Sequence, residues 1–295
     1  MSRIVDDLVN QFKYGSMMIK LLLVNVIVFL AVQIVILFFF LLGMHGDNFI
    51  VSYLALPADV HNLLLKPWTL ISYMFLHEGF MHILFNMLWL YWFGKIFLQF
   101  FSNRQLLNVY LFGGLAGAGF YILSYNIFPV FETVLPLEKA LGASAAVLAV
   151  VLAVSAYMPD YTIYLLFIGP VKLKYIAIFT IVLDVLSISG VNAGGHIAHL
   201  GGAAFGFLFG YQMRANKDIT GFMDGFFRFF QDLFKPRPKF KVHNNPYKTR
   251  SDWEYNTRKN QDQKRMDEIL DKIAQSGYDS LTKEEKDILF RSSNN

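Results

Sequence analysis

Ser144 stands in the stretch Leu141-Gly142-Ala143-Ser144-Ala145-Ala146, where the long apolar run Ala143 to Ala156 begins. To act as a nucleophile, a serine hydroxyl needs a base to take its proton and donors for the oxyanion that follows attack. Two other polar clusters carry such groups. One is His77-Glu78-Gly79-Phe80-Met81-His82 with Asn86; the other is His196-Ile197-Ala198-His199-Leu200-Gly201-Gly202. A neutral imidazole at His199 suits the base, which would then protonate the leaving amine. His82 and Asn86 lie about one helical turn apart and face one way, so their N–H groups suit an oxyanion hole beside the Ser144 backbone N–H. His196 precedes His199 by one turn and reads as supporting. No carboxylate is placed to make a third member. Asp184 is the acidic residue inside a late apolar stretch, but its spacing does not link it to His199, and it reads as a buried hydrogen-bonding anchor. His77 and Glu78 read as structural.

Metal chemistry is the natural rival. A zinc-binding HExxH places two histidines four apart on one helix face. His77 and His82 are five apart, which rotates them by ~140° from each other on a helix. His196 and His199 could pair as ligands, but no acidic third ligand is expected nearby. The chain has no Cys, which removes thiol nucleophiles, disulfides and Cys-based metal centres. The expectation is no metal and no cofactor.

The elements that position these groups follow from composition. The 295 residues are 55% hydrophobic and 16% charged, with mean hydropathy +0.41. Soluble domains carry about 25% charged residues, so this reads as an all-α polytopic membrane protein. Six spans emerge, roughly 19–43, 80–101, 106–128, 142–157, 173–189 and 195–213, the fourth short and the fifth interrupted by Asp184. The first is too long and too uniformly apolar for a signal-peptide core. Basic residues gather before the first span (Arg3, Lys13, Lys20), in the second loop (Lys95, Arg104), in the fourth (Lys172, Lys174) and after the sixth (Arg214, Lys217, Arg228, Lys235). The opposite side holds Lys66 and Lys139. Both termini are therefore expected in the cytoplasm. The net charge of +4 is accounted for by these edges and by the tail, and no nucleic-acid partner is implied.

Spans two, four and six then run in one direction, from outside to inside. His82, Asn86, Ser144 and His199 all fall at their outer ends and so in one layer. Gly202, Gly206 and Gly210 form a smooth face on span six; Gly142, Ala145, Ala146 and Ala149 offer another on span four, and Gly113 and Gly117 one on span three. The long first loop, about 44–79, carries Trp68 and Tyr73 and is expected partly in the interface. Ile219 to Phe234 reads as an amphipathic interfacial helix. A basic linker follows, and then a small helical unit. In that unit Met266, Ile269, Leu270 and Ile273 form one stripe, Gly277 ends a helix, and Thr282 with Glu285 makes a capping box for a second helix. The resulting organisation is a cytoplasmic N-terminus (1–18), a six-helix domain (19–213), an interfacial helix with linker (214–250) and a helical extension (251–295).

These motifs resemble those of the rhomboid intramembrane serine proteases. The nucleophile motif GxSG corresponds to Gly142-Ala143-Ser144-Ala145. The HxxxN motif corresponds to His82 through Asn86. The base motif, histidine with glycines at +3 and +7, corresponds to His199, Gly202 and Gly206. The resemblance spans about residues 19–213. It implies a six-helix core and a Ser–His dyad of Ser144 and His199, open to a water-filled cavity on the outer side. It also implies hydrolysis of single-span or polytopic membrane-protein substrates near their outer face, in the bilayer of a bacterial inner membrane. The extension looks like that of some bacterial rhomboids and could dock to itself or to a cytoplasmic partner. Departures from the pattern are Ala145 where the motif ends in Gly, Thr69 after Trp68 where the family has Arg, Leu98-Gln99 after Phe93-Gly94 where an acidic residue is common, and Leu148 where an aromatic sometimes stacks on the base. Two other readings stand beside the protease: a non-catalytic rhomboid-like binder of membrane helices, and a transporter or channel with a proton path through the histidines and Asp184. The last requires a through-going polar stripe, which the inner halves of the spans lack.

Overall fold

A computed structural model of the chain describes residues 2–44, 46–165, 168–221 and 252–292. It divides into two compact units, residues 1–234 and 235–295. The first unit opens with α1 (Ser2–Tyr14) and α2 (Met17–Leu41), followed by three short helices, α3 (Gly46–Leu54), α4 (Val60–Leu65) and α5 (Thr69–Ser72). The long elements α6 (Phe80–Phe100), α7 (Asn103–Ile127), α8 (Ser144–Tyr157), α9 (Leu173–Ser187) and α10 (Ala193–Arg214) complete it. The six apolar stretches read from sequence thus coincide with α2 and α6–α10. Among the described residues, α2, α6 and α7 are long and apolar enough to cross a bilayer, and α8 is a shorter apolar helix.

Local sequence explains the helix starts. Ser102 and Gln105 form a capping box at α7: Ser102 Oγ accepts the Gln105 N–H at 3.2 Å, and Gln105 Oε1 accepts the Ser102 N–H at 2.9 Å. Asn192 Oδ1 accepts the Gly195 N–H at 3.1 Å and caps α10. At the other end of the domain, Thr162–Leu165 pairs antiparallel with Gly169–Lys172 ahead of α9. Asp160 beside this hairpin is exposed, and hydrogen bonds from Lys174 and then Lys172 hold its carboxyl down to about 2.

α8 is the centre of the unit. Every residue from Ala145 to Ala156 is buried, as expected of a helix that is apolar all round. It is held by bare backbone on its neighbours. Gly202, Gly206 and Gly210 of α10 face the carbonyl oxygens of Ala145, Ala149 and Ala153, and Gly113 and Gly117 of α7 face the methyl groups of Ala149 and Ala145. A Cβ at any of these glycines would collide with α8, so the small faces read from sequence are the contacts that join α7, α8 and α10.

The first loop is tied to the segment before α8. Leu56–Pro57 pairs antiparallel with Lys139–Ala140. Tyr73, in a tight turn after α5, donates its hydroxyl to the Gly114 carbonyl at 2.6 Å, and its own carbonyl accepts the Gly142 N–H at 2.9 Å. Tyr110 donates to the Met74 carbonyl at 3.2 Å and accepts from Asn25 Nδ2 at 3.2 Å. Trp68 is half exposed and donates to the Tyr53 carbonyl at 2.8 Å.

In the second unit, α11 (Asp252–Ser276) ends at Gly277, whose φ of +78° suits glycine, and α12 (Lys283–Ser292) follows. The expected capping box forms: Glu285 Oε2 accepts the Thr282 N–H at 2.7 Å, and Thr282 Oγ1 accepts the Glu285 N–H at 3.3 Å. The Thr282 N–H and the Lys272 ammonium, at 3.0 Å, hold the Glu285 carboxyl down to about 2. The interfacial helix expected at 219–234 and the linker after it lie outside the described residues beyond Gly221.

Candidate active site

A cavity of about 910 Å³ opens among the ends of α6, α8, α9 and α10, and Ser144, His82, Asn86, His196 and His199 all line it. The layer expected from topology is therefore also a lateral cluster. Ser144 is the first residue of α8. The first intrahelical bond of α8 is donated by the Val147 N–H to the Ala143 carbonyl, so the Ser144 N–H is among the unpaired donors of a helix start.

Gly142 makes this corner accessible. Its φ of +134° is a conformation that L side chains rarely adopt. A Cβ there would lie 3.0 Å from His82 Nε2 and 3.6 Å from Ser144 Oγ. The imidazole and the hydroxyl thus flank the same point in space. Asn86 is buried, and its Nδ2 donates to the His82 carbonyl at 2.9 Å. One of its two amide hydrogens is therefore committed to its own helix. His77 packs edge-on against His82 with centroids 5.1 Å apart. Burial, then the His82 ring, push the His77 imidazole down to about 4 against the pull of the Phe75 backbone, so it is neutral at neutral pH.

The histidines of α10 overturn one expectation. Asp184 on α9 is buried, and its Oδ1 lies 2.8 Å from His199 Nδ1 and 2.8 Å from His196 Nδ1. A carboxylate is placed beside His199 after all, and it is shared with His196. A carboxylate accepts, so each ring presents Nδ1–H to it. Ser144 Oγ and His199 Nε2 make no hydrogen bond among the described residues. The same three groups form a set of metal-type ligand atoms within 4.8 Å of one another, so the acidic partner missing from the sequence reading is present. The two Asp184–histidine separations of 2.8 Å are those of hydrogen bonds; ligands ~2.1 Å from a tetrahedral metal would stand ~3.4 Å apart.

A model of the rhomboid domain matches residues 65–216, just over half of the chain. The chain belongs to the rhomboid family. Similar proteins include a RHOMBOID-like protein 12, mitochondrial, of Arabidopsis thaliana, 37% identical over 145 residues, which are 46% of this chain and 43% of that protein. A Rhomboid protease GlpG of Serratia proteamaculans is 28% identical over 131 residues, 38% of this chain and 43% of that protein. A Rhomboid-like protein 16, chloroplastic, of Arabidopsis thaliana is 33% identical over 106 residues, 32% of this chain and 33% of that protein. The chain spans less than half the length of each of these relatives. Residues 250–295 match a family of unknown function, DUF6576. As a rhomboid with long apolar helices, this is an integral membrane protein.

The departures from the rhomboid pattern have places in the structure. The Ala145 methyl fills the space opposite Gly117. Thr69 is fully buried and donates to the Lys66 carbonyl at 2.6 Å, while Gln99 accepts from the Tyr161 hydroxyl at 3.0 Å. Leu148 lines the cavity. Asp184 is the buried hydrogen-bonding anchor that the sequence suggested, but its partners, and those of Tyr73, escaped the sequence reading. Tyr73 joins the first loop, α7 and Gly142, which no local pattern reveals. Asp184 had a usable signal: it lies near the end of α9, the histidines lie near the start of α10, and a five-residue connection, 188–192, sets them at similar depth.

Proposed function

We propose that this rhomboid is an intramembrane serine endopeptidase with Ser144 as nucleophile and His199 as general base and acid. The observation that carries the reading is the meeting of Ser144, at an unpaired helix start, with His199 on one cavity whose helices are locked by Gly202 against Ala145. In the first step His199 Nε2 takes the Oγ proton as Oγ attacks the scissile carbonyl. The oxyanion is held by the Ser144 N–H, the His82 ring and the remaining Asn86 amide hydrogen, each such donor being worth ~10²–10³ in rate. The imidazolium protonates the leaving amine, and water then releases the acyl group by the reverse sequence. Gly142, Gly202 and Gly206 support this geometry by close approach.

At 1.5 Å per residue the 14 residues of α8 extend ~21 Å, short of the ~30 Å hydrocarbon layer. This supports a nucleophile set below the outer surface, with water reaching it through the cavity. The six apolar helices support six crossings and the charge distribution supports cytoplasmic termini; a bacterial inner membrane belongs to the same reading, and the cut falls near the outer face of single-span or polytopic substrates. The division at 1–18, 19–213, 214–250 and 251–295 belongs to the same reading. A similar protein named a protease adds support.

The test is cleavage of a tagged single-span reporter by the full chain in liposomes, with fluorophosphonate labelling read alongside. Loss of both signals in Ser144→Ala, and of cleavage in His199→Ala, is the expected result. Cutting by Ser144→Ala at the wild-type rate would exclude this nucleophile. A wild type that binds helices but neither cuts nor labels would favour the binder reading.

A further inference from the structure

Asp184 is a buried carboxylate on an apolar helix, and among the described residues no Lys or Arg pairs with it; its partners are the two imidazoles. Burying a carboxylate without a cation costs several kcal/mol, and such groups in membrane helices are seldom kept without a task. Both histidines come from α10, one turn apart, and both aim Nδ1 at the same oxygen, Oδ1, from α9. Among the described residues, His196 is also the sole ring in contact with His199, edge-on with centroids 5.8 Å apart. The orientation of the His199 ring therefore rests on Asp184 and is contested by His196.

We propose that Asp184 is the positioning residue of His199: it fixes the ring with hydrogen on Nδ1 and the lone pair on Nε2 facing the cavity, and His196 tempers it by holding the same oxygen. This rests on the protease reading and converts its dyad into a carboxylate-anchored pair. The proton balance is simple. The Ser144 Oγ proton moves to His199 Nε2; the Nδ1 hydrogen stays hydrogen-bonded to Asp184, which remains a carboxylate and stabilises the imidazolium; the Nε2 proton then leaves with the amine. Titratable groups that share the cavity with His199 are His82 from α6, Tyr121 from α7, Asp184 from α9, His196 on its own helix, and Tyr73, Glu78, Glu138 and Lys139 on the connecting segments. Asp184 and His196 are the ones hydrogen-bonded in this cluster, so they set the sign of the effects below.

The experiment compares full-length wild type, Asp184→Asn, Asp184→Glu and His196→Ala in liposomes, with reporter cleavage over a pH series and histidine-selective nitrogen-15 spectra in micelles. Asp184→Asn is expected to lower kcat by at least about a hundredfold with little change in KM, the pattern of a lost tautomer anchor. Without the carboxylate the imidazolium is less stable, so the acid limb of kcat/KM moves to lower pH. Asp184→Glu restores part of kcat. His196→Ala gives His199 sole claim to the oxygen, so the acid limb moves to higher pH. The wild-type spectrum shows His199 protonated on Nδ1, and Asp184→Asn loses that form. An unchanged kcat, pH profile and tautomer in Asp184→Asn would overturn the proposal. A fold defect without positioning would be seen as loss of soluble protein in both Asp184 variants with no recovery by Glu, and would also overturn it. A wild type that fails to cut while His199 keeps its Asp184-dependent tautomer would sink the protease reading and leave the anchor standing.

Discussion

Gly202 on α10 turns its bare Cα toward the carbonyl oxygen of Ala145 on α8, one residue beyond Ser144. A methyl group there has no rotamer to escape into. Gly202→Ala gains ~1 kcal/mol of helix propensity, but overpacking against backbone costs ~1–3 kcal/mol, so the clash wins. The expected outcome is a lower detergent melting temperature and a loss of reporter cleavage of about tenfold or more. Gly210→Ala meets Ala153 in the same way two turns further from the site, and is expected to destabilise similarly while sparing more activity. Equal activity losses in the two variants would show that helix spacing at Ser144 is not what matters.

Gly142→Ala should be more selective. The φ of +134° strains any Cβ, and the new methyl would press on the His82 ring. Strain of ~1–3 kcal/mol placed on the corner between His82 and Ser144 corresponds, on the proposed mechanism, to about a 5- to 150-fold fall in kcat. KM should change little. Steady-state cleavage kinetics separate the two constants.

Tyr73→Phe removes the hydroxyl that bonds the Gly114 carbonyl inside the protein. A net loss of ~1 kcal/mol is expected, read as reduced thermal stability. Earlier proteolytic nicking of the first loop should accompany it, because this bond ties that loop to α7. Wild-type protection of the loop in the variant would count against that role.

His77 gives a pH dependence. Its folded-state value of about 4 lies below the ordinary histidine value, because burial disfavours the cation. Between about 4 and 6.5 the unfolded chain binds the proton and the folded chain does not, so stability rises with pH in that window and is lost on acidification through it. Melting temperature should fall from pH 7 to pH 4.5, and His77→Gln should flatten that fall.

In the second unit, Thr282→Ala opens the capping box at α12. The helix start should weaken by ~1 kcal/mol, seen as faster amide exchange over residues 283–292 in the full chain.

The sequence by itself located the elements and named the polar residues that gather on one cavity. Apolar runs located α2 and α6–α10, because backbone in a bilayer must satisfy its own hydrogen bonds and a span has a fixed length. Alternation of spans put His82, Ser144 and His199 at one depth, and glycines four apart marked the faces that meet. The tail capping box was legible because its two partners are three residues apart. Lateral relations were not legible in this way. That Asp184 reaches His199, that Asn86 commits a hydrogen to His82, and that Tyr73 joins Gly114 to Gly142 depend on how α7, α9, α10 and the first loop pack side by side. Periodicity fixes which way a residue faces around its own helix axis; which neighbour stands there is decided only when the helices close on one another.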